Sequence, residues 1–158
     1  MIVAGTGHRP DKLGGYTQQA HERLVRVATK WPRLRHPSVV ISGMALGWDM
    51  ALAEAATSLL IPLHAYVPFK GQESRWNAAY QTQYHNLLSC ADEVIVLSQT
   101  NDNAAAKMQA RNVAMMNNTD AVLAMWDGSP GGTANCLLYA DTQMIPIYNL
   151  YHTYLEFN

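Results

Sequence analysis

The chain has 158 residues, 49% of them apolar and 15% charged, with a formal net charge of −1. This composition suits one domain, spanning 1–158, with a buried core, and excludes a disordered chain. The near-zero net charge gives no electrostatic reason for duplex binding, so a nucleic-acid partner is not expected.

Ile2 to Thr6 reads as a short buried strand that ends at a glycine-rich turn. From Tyr16 to about Trp31, Ala20, Leu24, Val25 and Ala28 recur at helical spacing, and Pro32 and Pro37 frame the loop beyond. Ser38 to Ser42 is a second apolar strand, Leu46 to Leu59 an alanine-rich helix, and Leu63 to Val67 a third strand stopped by Pro68. A polar loop leads into a helix from about Ser74 to Cys90, followed by a strand over Glu93 to Leu97. Asn103 to Asn117 is a helix, with Asn101 or Asp102 as its cap. Ala121 to Trp126 is a fifth strand and Gly132 to Thr142 a helix. Ile145 to Tyr148 is an edge strand, where Pro146 is tolerated.

Short apolar strands alternating with helices define the fold class: α/β, a three-layer Rossmann-like parallel sheet of five or six strands with helices on both faces. In such sheets ligands bind beyond the carboxyl ends of the strands. Cys90 and Cys136 match no zinc or redox spacing and read as buried free thiols. There is no leader pattern and no apolar run of ~18 residues, so a cytoplasmic protein without membrane contact is expected. Neither a metal nor a cofactor is expected.

The polar residues gather where the strands end. After the first strand, Thr6, Gly7, His8 and Arg9 combine a hydroxyl, a permissive turn and a planar guanidinium suited to phosphate; the plainer reading is a turn with a solvated arginine. After the second, Ser42, Gly43, Met44 and Gly47 lead into a helix whose amides can face an anion. Asp49 there either binds a ribose hydroxyl or caps the helix. After the third, Arg75 and Trp76 pair a phosphate contact with a stacking surface, or are a solvated arginine beside a core tryptophan. Arg111 interrupts a small, apolar helix face and needs a partner if buried. After the fifth strand, Asp127, Gly128, Ser129, Pro130, Gly131, Gly132 and Thr133 run straight into a helix, which places free amides and a hydroxyl together. This is the most specific motif of the chain.

Together these motifs resemble the SLOG superfamily of Rossmann-like nucleotide-binding proteins, which includes the LOG phosphoribohydrolases and the DprA-type DNA-processing proteins. Thr6 to Pro10 is most similar to the YpsA-like branch. Gly43 to Ala56 is similar to the family's glycine turn and alanine-rich helix, Arg111 and Met115 to the LOG arginine pattern, and Ser129 to Thr133 to the Pro-Gly-Gly turn. The resemblance implies a nucleotide-type ligand. In LOG enzymes a glutamate shortly after the turn assists departure of the base, and here the equivalent place holds Asn135, which is neither an acid nor a base.

The expected function is therefore binding of a nucleotide or nucleotide-sugar, ADP-ribose-like or a nucleoside monophosphate, as a sensing or sequestering module. The alternative is an N-glycosidic hydrolase with Arg111 and Asp127 as its catalytic candidates. A third reading is a protein-interaction regulator. A homo-oligomer is expected by resemblance; Trp48, Trp76, Met108, Met115 and Met116 supply either a helix-face interface or core packing.

Overall fold

The computed structural model describes residues 1–157. Six strands form one parallel sheet: β1 (Ile2–Gly7), β2 (Val39–Ser42), β3 (Leu63–Val67), β4 (Glu93–Val96), β5 (Ala121–Met125) and β6 (Ile147–Asn149). Their order is β4-β3-β2-β1-β5-β6. The chain steps outward from β1 to β4, then returns to the other side of β1, so the order reverses between β1 and β5. A switch point of this kind leaves a crevice where neighbouring connections diverge. Gly7 pairs with Met125, and the His8 N–H donates to the Met125 carbonyl at 3.1 Å, so both strands end at the same level.

Among the described residues, six α-helices cover the sheet: α1 (Gln18–Arg35), α2 (Trp48–Ser58), α3 (Ala78–Cys90), α4 (Ala104–Met116), α5 (Gly132–Thr142) and α6 (Tyr151–Glu156). Alternate strand residues face opposite layers. Val3, Val40 and Leu123 pack with residues of α1, α2, α3 and α6, whereas Ala4, Ile41 and Val122 pack with those of α4 and α5.

Several boundaries differ from the sequence expectation for identifiable reasons. Pro32 lies inside α1, which runs on to Arg35. Proline removes one intrahelical bond near the end of the helix, but Pro32 is buried and the left-handed His36 returns its N–H to the Pro32 carbonyl at 2.9 Å. α3 begins at Ala78 because Asn77 caps it, accepting from the Tyr80 N–H at 3.0 Å. Neither Asn101 nor Asp102 caps α4; its N-cap is Asn103, in the left-handed region at φ 53° and without a side-chain cap bond. The short α6 and a one-turn 3-10 helix over Pro10–Lys12 carry too few residues to show a period.

Cys90 is exposed, contrary to expectation, while Cys136 is buried. Trp48, Met115 and Met116 are core residues, and the Trp48 Nε1–H donates to the Leu123 carbonyl at 3.0 Å. They offer no surface to a second copy. Trp76 packs edge-on against Tyr84 at 5.3 Å. Among the described residues, no helix is long and apolar enough to cross a membrane, and no group of three or more His, Cys, Asp or Glu side chains is placed to hold a metal ion.

Candidate functional site

A cleft of about 520 Å³ opens over the carboxyl ends of β1 and β5. Its floor is built on Arg111 of α4, which is only 4% exposed. Nη1 donates to the Gly43 carbonyl at 2.6 Å, and Nε donates to Asn112 Oδ1 at 2.8 Å. Nη2 has no hydrogen-bond partner among the described residues, and Arg111 lines the cleft. Burial pushes the Arg111 pKa down and the nearby Asp49 carboxylate pushes it back up. A guanidinium stays charged under such pressure, so the floor presents a desolvated cation with a spare donor.

Asp49, in the first turn of α2, is buried on the same floor. Burial raises its pKa, against the pull of Arg111. Its Oδ2 accepts from the Ala45 N–H at 3.4 Å, so it fastens the loop ahead of α2 rather than capping the helix, which has no side-chain cap. Gly47 stands ahead of α2 at φ 92°, and a Cβ there would lie 2.6 Å from the His8 carbonyl oxygen. Gly43 is wedged between Arg111 and Asp49; a Cβ would meet Arg111 Cζ at 2.6 Å and Asp49 Oδ2 at 2.9 Å. Gln72 steadies this turn from the other side, donating to the Gly43 carbonyl at 3.2 Å.

The rim is formed by the first turn of α5. Gly131, at φ 143°, precedes the helix with no side-chain cap, which leaves the opening amides at Gly132 and Thr133 for another acceptor. Two further cations line the cleft, Lys12 beside that turn and Arg9 against α4. Lys12 Nζ lies 2.6 Å from Ser129 Oγ, and Arg9 Nη2 lies 3.4 Å from Met108 Sδ.

Behind the rim, Asp127 Oδ1 lies 2.7 Å from His8 Nε2 and accepts from the Ser129 N–H at 2.9 Å and the Ser129 hydroxyl at 2.5 Å. The Ser129 hydrogen bonds, then His8, hold the Asp127 carboxyl well below the usual carboxylate range.

The cleft thus brings together Thr6, Gly7, His8, Arg9, Asp49, Arg111, Gly131, Gly132 and Thr133. Ser42, Gly43, Met44 and Gly47 do not line it; they shape the turn beneath. Asp127 and Gly128 lie behind it, with Asp127 turned to His8 and Ser129. Arg75 is exposed and outside the cleft, because Asn77 starts α3 late and leaves 71–76 as a separate turn held by Gln81. Lys12, Ala45, Ala105, Gln109 and Asn112 line the cleft without having been singled out from sequence, and Met108, read there as an interface or core residue, lines it as well. Lys12 follows the Thr6–Pro10 motif by two residues, which was its one available signal.

Known proteins give the following likenesses. The family model described as the YspA SLOG family matches residues 3–155. The SPbeta prophage-derived protein YoqJ of Bacillus subtilis is 33% identical over 134 residues, which cover 75% of this chain and 77% of YoqJ. A UPF0398 protein of Bacillus anthracis is 26% identical over 164 residues, covering 97% of this chain and 88% of that protein.

Among solved structures, DNA processing protein A from Streptococcus pneumoniae superposes with a TM-score of 0.67 at 18% identity, over 94% of this chain. The chain spans 49% of that protein's length. The same protein from Helicobacter pylori, solved for its single-stranded DNA binding mode, gives 0.60 at 16% identity, over 93% of this chain and 63% of that one. The molybdenum cofactor binding protein from Rippkaea orientalis gives 0.59 at 16% identity, over 92% of this chain and 73% of that one. At these identities the structures share the fold.

The expectation against a nucleic-acid partner is corrected here, because a protein with this fold is described by its binding of single-stranded DNA. That expectation rested on net charge, which averages over a whole surface. It misses the local gathering of Arg9, Lys12 and the α5 N-terminus.

Proposed function

The chain belongs to the YspA SLOG family, and from that premise we propose that it is a single nucleotide-binding unit of the cytoplasm, holding a nucleotide or nucleotide-sugar in the cleft between β1 and β5. The observation that carries this reading is the convergence of two anion-seeking features on one cleft. The uncapped first turn of α5 takes a phosphate at the rim, and the spare Nη2 of Arg111 takes a second acceptor at the floor. Ala45, Ala105, Met108 and Pro130 supply apolar walls for a base.

A glycosidase reading rests on Asp49, the cleft-lining carboxylate that interacts with Arg111. Asp127 is committed to His8 and Ser129, and Asn135, which the resemblance sets at the position of the LOG glutamate, lines the cleft. Binding is therefore the better supported reading.

The test is thermal unfolding with ADP-ribose, nucleoside monophosphates and a single-stranded oligonucleotide, with free-base release followed in parallel. At a hundredfold excess over Kd a ligand adds about 2.7 kcal/mol, a rise of roughly 5–10 °C for a chain of this size. Gly132→Val fills the phosphate position, and a Cβ there meets nothing within 4 Å, so the variant folds as the parent does. It is expected to lose the rise for mononucleotides while its own Tm stays put. Retention of the full rise would misplace the phosphate. Base release that depends on Asp49 would establish the glycosidase instead, and stabilisation by the oligonucleotide alone would make the cleft a nucleic-acid site.

A further inference from the structure

His8 is the titratable group of the cleft that the binding reading leaves without a task. It lines the cleft, yet is only 7% exposed. Its Nε2 lies 2.7 Å from Asp127 Oδ1, an oxygen already fixed by two donors from Ser129. An unprotonated ring nitrogen so close to an ionised oxygen would repel it, so Nε2 carries the proton. The Asp127 N–H, at 3.1 Å from Nε2, is the weaker claim on that nitrogen, because a charge-assisted bond outranks a neutral one. In the neutral ring the lone pair then sits on Nδ1, which has no hydrogen-bond partner among the described residues.

The surroundings of the ring select what meets that lone pair. Arg9 and Lys12 approach from the segment after β1, together with Asp11; Arg111 stands on α4, Asp49 on α2 and Asp127 after β5. With the open first turn of α5, this is a place for an anion. A lone pair facing a phosphate oxygen is repulsive until a proton lies between them. The Asp127 carboxylate, bonded to the far side of the ring, is placed to balance the imidazolium that results.

We propose that the cleft takes up one proton together with its phosphate-bearing ligand, and that His8 Nδ1 is where this proton is held. The inference rests on the nucleotide reading and deepens it: His8 makes the site select an anion over a neutral nucleoside. The sign follows from linkage. The bound state holds the extra proton, so affinity falls as pH rises, by about tenfold per unit wherever the free ring is neutral and the bound ring protonated.

The test is calorimetric titration with ADP-ribose, whose bridging phosphates do not themselves titrate near neutrality, in buffers of differing ionisation enthalpy at pH 7.5, with Kd followed from pH 7 to 8. The parent is expected to take up protons on binding, up to one per site, and to weaken as pH rises, by at most about tenfold per unit. His8→Gln is expected to bind with no uptake and a flat Kd. Asp127→Asn, which keeps the imidazole and removes its counter-charge, is expected to bind with reduced uptake, and carries the test if His8→Gln fails to fold or bind. Binding by the parent without proton uptake overturns the proposal, as does uptake that persists undiminished in either variant. Absence of any binding by the parent sinks the nucleotide reading itself, and this inference with it.

Discussion

Gly43 sits between two buried charged groups of opposite sign, and that position sets what the residue must be. A Cβ would lie within contact of Arg111 and Asp49 together. Gly43→Ala is expected to destabilise by about 1–3 kcal/mol, the usual cost of overpacking, measured by urea unfolding. Arg111→Lys relieves the clash with the guanidinium, so the two changes combined should cost less than the sum of the singles; strict additivity would show that Arg111 is not the obstruction. Arg111 was legible as an anomaly, a charged residue on an apolar helix face. Its partner was not, because the Gly43 carbonyl lies 68 positions away in sequence and only β-strand order brings the two together. His8 was legible as polar and near the site, but its tautomer was decided by Asp127, 119 positions on.

At the scale of elements, α1, α2 and α3 are tied by a polar cluster outside the cleft. His21 Nε2 lies 2.5 Å from Glu54 Oε2, and Gln83 Nε2 donates to the same oxygen at 3.2 Å. The hydrogen bond from His21 lowers the Glu54 pKa below its ordinary 4.5, against the opposing effect of burial. A depressed carboxylate pKa contributes stability above the unfolded value, and loses it as pH falls through the folded one. Glu54→Gln is therefore expected to lower the urea midpoint at pH 7 and to match the parent once both are below that range. Because the Glu54 side chain is 38% exposed, the difference at pH 7 should be under about 1 kcal/mol. A gap that persisted unchanged in acid would point to lost packing rather than charge. Helix existence followed from period, whereas helix starts followed from single side chains. Asn77 begins α3 later than the apolar spacing suggested, and that delay carries Arg75 away from the cleft.

Over the whole molecule, stability is expected to fall from the centre of the sheet to its edges. β1 and β5 are buried along most or all of their length, whereas Glu93, Val94 and Val96 of the edge strand β4 are exposed. Amide hydrogen exchange should be slowest in β1 and β5, at the rate of global unfolding, and faster in β4 and β6 through local opening. Equal protection in β4 would contradict this gradient. The cleft lies over β1 and β5, so its base belongs to the part of the fold that opens least, while Lys12 and Ser129 stand on the connections above it and Met108 on α4.

Alternating short apolar runs and 3.6-residue periods determined the layered parallel sheet, because burial of a strand on both faces leaves no other pattern to read. The Pro130–Thr133 turn likewise showed in sequence as an uncapped helix start, since glycine and proline act on the backbone locally. What only the tertiary structure decided was which strand ends become neighbours. The reversal of order between β1 and β5 joined His8 to Asp127, and the crossing of α4 over β1 and β3 lowered Arg111 onto Gly43. Those pairings depend on topology and close packing between distant segments, and they turned a phosphate-binding turn into one wall of a charged cleft.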